Sequence, residues 1–259
     1  RTARAAHDLL LNPRHFFERH FNAEIAARHH HAIRHIQNGL DILAKHKAVF
    51  DKVEKQYGVD RYTITAIWGV ESNYGTLGGD RPVIRSTATL ACVGRRQAYF
   101  RDEFLATLEI LHRGDVSADH LKGSWAGAFG PTQFMPTSFK RFAVDGDGDG
   151  RRDVVDSPSD LIASTANNLK KDGWQTGQSW GYEVVIPKGF NYMLADRSKQ
   201  KTMAEWEALG IKRPGGKAFP RPEEKAYLLV PAGYQGPGFL MMQNFRVIMK
   251  YNPAEAYAL

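Results

Sequence analysis

Residues 60–75, DRYTITAIWGVESNYG, decide how the rest of the chain is read. Asp60 is a good N-cap, because a short carboxylate can accept from the free amides of a first helical turn. Ile64, Ile67 and Trp68 follow at i, i+3 and i+4 and share one helix face. Position i+7 of that stripe is Glu71, a carboxylate where the pattern asks for an apolar residue. Burial disfavours the charged form, so a glutamate there is expected to hold its proton toward neutral pH, as a general acid must. The competing reading is a glutamate at a helix end that turns to solvent. Gly75, Gly78 and Gly79 stop the helix, which leaves Glu71 near its partly negative C-terminus and favours the protonated form further.

Outward from this stretch, composition sets bounds. The chain has 259 residues, 42% apolar and 24% charged, enough to bury a sizeable core and unlike a disordered chain. A formal charge of +7 points to an anionic partner, nucleic acid or anionic cell-envelope polymer. The basic residues are spread along the chain in short clusters such as Arg95-Arg96 and Lys170-Lys171, so a specific nucleic-acid footprint is only weakly supported. The single cysteine, Cys92, rules out an internal disulfide. No run approaches the ~18 apolar residues of a membrane span. The chain opens on Arg1 with no initiator Met and no signal-like apolar run, and is read as a mature or trimmed form.

Residues 1–58 read as helices, with apolar residues from Phe16 to Phe50 at roughly helical intervals. Eight of the ten histidines fall here. His31 and His35, at i and i+4, could share a metal, but no acid stands among them in the HExxH manner, and a solvated helix face is preferred. After the glycine loop, Thr87–Leu90 and Tyr99–Leu111 read as helical, with Phe100, Phe104, Leu105, Leu108 and Leu111 at helical spacing. Arg95, Arg96 and Tyr99 could face an anionic or sugar ligand, or line a solvated turn. Residues 121–136, LKGSWAGAFGPTQFMP, mix glycines with Trp125, Phe129 and Phe134. Close backbone approach and flat apolar surface suit sugar rings, with Ser124 and Gln133 as neutral orienting groups. A tightly packed loop between helices explains the composition equally well.

The sharpest local motif is DGDGDGRRDVVD, residues 145–156. Asp145, Asp147 and Asp149 occupy positions 1, 3 and 5 of a calcium loop, and Gly150 falls at position 6, where the sharp turn is needed. Arg151 would offer its carbonyl at position 7. Position 12 is Asp156 instead of glutamate, and Asp160 could instead reach back from four residues on. Phe134–Ala143 reads as the entering helix, and Ser157-Pro158 caps the leaving one. A lone loop of this kind argues for a structural calcium, not a sensor.

Beyond Trp174 the pattern changes to short β-like runs, Tyr182–Pro187 and Ala226–Pro231, around a helix at Thr202–Leu209. Residues 179–237 are read as a small mixed α/β accessory subdomain, and Phe239–Tyr251 as a returning helix within 238–259. The fold class expected from these elements is mainly α (α+β).

Taken together, the motifs resemble the bacterial lytic murein transglycosylase B family. The likeness runs from about Asp60 to Tyr257. It rests on IWGVESNYG around Glu71, RRQAYF around Tyr99, GSWAGAFGPTQFMPTSF from Gly123 and the aspartate loop, then ANNLKKDGW, AEWEALGI and QNFRVIMKYN. The resemblance implies a lysozyme-like helical core over 59–178, preceded by a helical N-terminal segment over 1–58. It also implies an EF-hand-like calcium loop and no organic cofactor. By the same resemblance Glu71 is the single catalytic acid/base. Tyr99, Ser124, Gln133, Tyr251, Asn252 and Tyr257 contact substrate. Asp145, Asp147, Asp149 and the Arg151 carbonyl bind metal, with Asp156 or Asp160 completing the set. Asn168 departs from the family, standing where relatives can carry a tyrosine.

The activity this implies is cleavage of the β-1,4 bond between N-acetylmuramic acid and N-acetylglucosamine in peptidoglycan, leaving 1,6-anhydromuramoyl ends. The expected partner is the glycan strand and not nucleic acid, the expected location periplasm or cell envelope, and the expected state a monomer. Membrane association would arise only through a lipid anchor outside these residues. The alternatives are a hydrolytic muramidase or chitinase-type glycosidase, and a non-catalytic calcium-stabilised glycan-binding protein.

Overall fold

A computed structural model describes residues 32–259. The histidines before residue 32, His31 among them, lie outside the described residues, as does most of the expected N-terminal helical segment.

Helix α1 (32–45) leads through a turn at His46 into α2 (Lys47–Tyr57), which ends on Gly58. Asp60 then starts α3 (Arg61–Ser72). Its Oδ1 accepts from the Thr63 amide and its Oδ2 from the Thr63 hydroxyl, both at 2.8 Å. Such a cap stabilises by about 1 kcal/mol. Arg61 reaches back to Asp51 at 2.7 Å and to Glu54, holding α3 against α2. Ile64, Ile67 and Trp68 are buried, as their spacing predicts, each contributing roughly 1.5–3 kcal/mol. The helix stops abruptly because Asn73 and Tyr74 both take left-handed backbone angles, φ 47° and 59°. Asn tolerates this region and Tyr does not. Tyr74 is held there by donating its hydroxyl to the His35 carbonyl at 3.0 Å and packing on the His35 ring.

A two-residue ribbon, β1 (Arg81–Pro82) with β2 (Lys122–Gly123), brackets α4 (Val83–Val93) and α5 (Gln97–Arg113). After α6 (Pro136–Phe142) and the aspartate loop comes α7 (Pro158–Lys171), with Ser157 as N-cap and Pro158 at the first helical position. Residues 160–166 of α7 are all buried, and the helix packs against α2, α3, α6 and the later α9. A helix hidden on every side is the middle of a core, and the other helices are arranged about it.

Four antiparallel strands, β3 (Gly181–Val184), β4 (Lys201–Thr202), β5 (Lys225–Leu229) and β6 (Gly238–Met241), form a sheet ordered β3-β6-β5-β4. Between β4 and β5, α8 (Met203–Ala208) carries a full capping box, Thr202 with Glu205. It buries Trp206, whose indole N–H donates to the Ala226 carbonyl at 3.0 Å. Trp206 belongs to a second apolar cluster with Met203, Ile211, Leu228 and Leu240, separate from the cluster around α7. The chain closes with α9 (Gln243–Tyr251) and α10 (Glu255–Ala258). The architecture is mainly helical with a small β component. No helix among the described residues is long and apolar enough to cross a membrane.

One expectation is corrected. Phe239–Met241 is strand, not the start of the returning helix, and it lies beyond the limit expected at residue 237. The segment fills the slot between β3 and β5, and that pairing outweighs local periodicity. In α5 the inward face is Glu103, Ala106, Thr107 and Ile110, while Leu105 and Leu108 are exposed. A buried carboxylate is tolerated there because Glu103 accepts from the amide and hydroxyl of Thr137, at 2.9 and 2.7 Å, at the start of α6.

Candidate active site

Glu71 sits in the last turn of α3, half-buried, one residue before the buried Ser72. Burial pushes its carboxyl above the ordinary glutamate value, and the nearby hydroxyl of Tyr257 partly offsets that push. No ion pair holds Glu71 among the described residues. The Tyr257 hydroxyl is itself buried and closes no hydrogen bond there. Burial, then the charge of Glu71, drives its own pKa far upward, so it stays a neutral phenol. Tyr251, the last residue of α9, also feels Glu71 and donates its hydroxyl to the Thr132 carbonyl at 2.6 Å. The structure thus brings Glu71, Tyr251 and Tyr257 together from distant stretches of the chain.

The loop 123–136 meets both the end of α3 and Tyr251. Ser72 donates its hydroxyl to the Pro131 carbonyl at 2.5 Å and accepts from the Gly75 amide at 2.8 Å, locking the end of α3 to that loop. Thr132 is buried and its hydroxyl accepts from Thr165 of α7 at 3.1 Å. Gln133 takes a left-handed backbone angle, φ 53°, and spends its amide nitrogen on the carbonyls of Gly78 (3.1 Å) and Gly130 (3.0 Å). Only its side-chain oxygen is left to accept from a ligand. Ser124 accepts from the Ala128 amide at 3.1 Å, which shapes its turn. The two loops meet backbone to backbone. A Cβ placed on Gly79 would come within 2.3 Å of the Gly123 carbonyl, and one on Gly123 within 2.0 Å of the Ala128 carbonyl.

Tyr99 and Asn252 are less directly placed. Tyr99, at the start of α5, lies under the Arg96 guanidinium at 4.0 Å, and burial with the neighbouring Glu103 pushes its hydroxyl up to about 12. Its electrostatic neighbours are those two residues and not Glu71. Asn252 ends α9 and accepts from the Ala254 amide at 3.1 Å, turning the chain toward Tyr257. Asn168 is buried in α7. Sequence reasoning missed Ser72, Thr132 and a cavity of about 890 Å3 that shares Tyr257 as a wall and is also lined by Tyr62, Val70, Trp174 and Trp180. Tyr62 and Val70 stand eight residues apart on one helix face, a signal that the spacing does carry.

In the aspartate loop, carboxylate oxygens of Asp145, Asp147, Asp149 and Asp160 lie within 4.8 Å of one another. Asp145 is held by the amides of Gly148 (2.6 Å) and Gly150 (2.8 Å), which lower its pKa. Asp160 is buried and accepts from the amides of Gly146 and Asp153. Burial, and then the charges of Asp147 and Asp145, raise its pKa. Four hard oxygen donors, one of them buried, fit a divalent cation of the calcium type. Asp156 does not join them, because its carboxylate pairs with His120. Of the two acids that could complete the set, the fold gathers Asp160 and turns Asp156 away. The Arg151 side chain pairs with Asp149 at 3.3 Å.

Residues 21–259 match the transglycosylase SLT domain family, and the chain belongs to it. Among its relatives is the membrane-bound lytic murein transglycosylase B of Escherichia coli (strain K12), 34% identical over 232 residues, covering 86% of this chain and 61% of that protein. SltB3 of Pseudomonas aeruginosa, solved in complex with NAG-anhNAM-pentapeptide, superposes with a TM-score of 0.84 at 49% identity, covering 86% of this chain and 60% of that one. The E. coli lytic transglycosylase Slt35, solved in complex with calcium, gives a TM-score of 0.72 at 30% identity, covering 87% and 71%. The chain therefore spans about three fifths of the first two relatives.

Proposed function

We propose that this chain is a peptidoglycan lytic transglycosylase of the bacterial cell envelope, with Glu71 acting first as acid and then as base. The observation that carries the reading is the half-buried carboxyl of Glu71 at a helix end, raised in pKa by burial and unpaired by any cation among the described residues. Protonated Glu71 donates to the oxygen of the β-1,4 bond between N-acetylmuramic acid and N-acetylglucosamine, and the bond from C1 to that oxygen breaks. Positive charge develops at C1, supported by the substrate's own N-acetyl group. The Glu71 carboxylate then takes the proton of the muramoyl C6 hydroxyl, O6 bonds to C1, and the 1,6-anhydro ring closes. Glu71 ends as it began, protonated.

Burial and Tyr257 account for the shift of Glu71, which suits a reaction whose nucleophile is the substrate's own hydroxyl. Ser124, the Gln133 oxygen, Tyr99, Tyr251, Asn252 and Tyr257 are assigned to orienting the sugars, with a relative solved on a NAG-anhNAM-pentapeptide as support. Calcium is assigned to Asp145, Asp147, Asp149, Asp160 and the Arg151 carbonyl, where it would brace the loop between α6 and α7 and enter no chemical step. Support comes from the four gathered carboxylates and the calcium complex of Slt35.

The test is mass spectrometry of soluble products from purified peptidoglycan. Muropeptides lacking one water relative to reducing ends are expected. Reducing ends alone would make the protein a hydrolase.

A further inference from the structure

Outside the Glu71 site, one depression carries recognition chemistry with nothing to recognise. A cavity of about 480 Å3 opens between the first turns of α4 and the loop after β2, lined by Arg81, Arg85, Thr89, Leu90 and Trp125. Arg81 and Arg85 are exposed, and among the described residues neither guanidinium has an ion pair or a hydrogen bond. Trp125 is 66% exposed, with no ring or cation stacked on it among the described residues. Unpaired arginines beside a bare tryptophan are the residue types that dominate binding energy at recognition surfaces.

The cavity is built onto the loop that carries Ser124. Arg81 pairs in register with Gly123 across the β1–β2 ribbon, and Ser86 donates to the Ser124 carbonyl at 3.3 Å. Arg85 and Thr89, four apart on α4, share a face. The guanidinium fork matches a carboxylate in two hydrogen bonds, and the apolar wall of Leu90 and Trp125 suits carbon between the charges.

We propose that Arg81, Arg85 and Trp125 bind the carboxylate-bearing peptide attached to the glycan strand, so that this protein distinguishes peptide-bearing from bare strands. The inference rests on the peptidoglycan reading for the identity of its ligand. Its test uses the full chain with Glu71→Gln, which holds substrate uncut, and calorimetric titration with NAG-NAM-pentapeptide and with peptide-free NAG-NAM.

The pentapeptide form is expected to bind about tenfold tighter, the scale of one or two charge-assisted hydrogen bonds. Adding Arg81→Ala and Arg85→Ala is expected to erase that difference while Kd for the bare disaccharide and the melting temperature stay unchanged. Trp125→Ala is expected to narrow it. A preference that survives the double arginine change overturns the proposal, and so does an equal loss for both probes. Inorganic phosphate displacing the pentapeptide form as well as free pentapeptide does would reassign the cavity to phosphate. If the unmutated chain fails to cut peptidoglycan while the arginine-dependent preference persists, the catalytic reading falls and this site stands. Cutting without any preference gives the reverse.

Discussion

The hydroxyl of Tyr257 is buried against the carboxyl of Glu71, yet closes no hydrogen bond among the described residues. Burial raises the pKa of that carboxyl, and the Tyr257 hydroxyl partly offsets the rise. In the proposed mechanism, the Tyr257 hydroxyl would lie beside the carboxylate that forms when Glu71 gives its proton to a leaving sugar oxygen. Charge appears where a dipole is waiting, so little reorganisation accompanies the step.

Glu71→Gln is expected to lower cleavage by about 10²–10⁴-fold, the range of lost acid–base catalysis. Sugar binding should persist, because the amide fills the same space. Chromatography of anhydromuropeptides together with calorimetry on uncut substrate checks both halves, and full turnover by the variant would remove Glu71 from the mechanism.

The same carboxyl dictates a pH dependence. In the proposed mechanism activity requires protonated Glu71, so the alkaline limb of kcat/KM is expected above the ordinary glutamate value of 4.5. For stability the sign is opposite to that of a salt-bridged acid. The folded-state pKa is raised, so burial costs nothing below the unfolded pKa. The cost then grows as pH climbs through the window up to the folded pKa. Glu71→Gln should therefore melt higher than the parent above that window and equal to it below. Melting curves of the two from about pH 3 to about pH 8 decide, and a constant offset at all pH values would contradict the assignment.

Tyr257→Phe removes a contact that lowers the Glu71 pKa, so the alkaline limb should move to higher pH. A limb that shifts downward would show that the two groups do not communicate.

Calcium is expected to raise the melting temperature by linkage, about 2.7 kcal/mol at a hundred times its Kd, and chelator to reverse it. Asp149→Asn should weaken that response, whereas Asp156→Ala should keep it, because the Asp156 carboxylate faces His120. Scanning calorimetry with and without calcium separates the two. Equal loss in both variants would place Asp156 among the ligands after all.

Much of this is legible in the chain because it is local. A helix stripe of three apolar residues is enough to show that Glu71 takes an apolar position, and spacing alone sets Asp145, Asp147 and Asp149 on one loop. What escapes is made by distance. Ser72 meets Pro131 across 59 positions, and Tyr251 meets Thr132 across 119. No short window of sequence contains both partners. The strand Gly238–Met241 escapes for a related reason. It is defined by neighbours on either side of it in the sheet, Gly181 opposite Met241 and Leu229 opposite Phe239, and not by its own residues. The helical spacing that includes Leu105 and Leu108 does not say which side is inner, and here a hydrogen-bonded glutamate occupies it.

The contact between Gly79 and Gly123 has a further consequence. With no side chain on either residue, the separation of the two loops equals the thickness of bare main chain, a length that surface substitutions cannot alter. A single methyl on Gly79 would act as a shim between the two loops, whereas one on Gly123 would press on the Ala128 carbonyl of its own loop. Neighbouring side chains can change, but the spacing of the loops is set there by a hydrogen on Gly79.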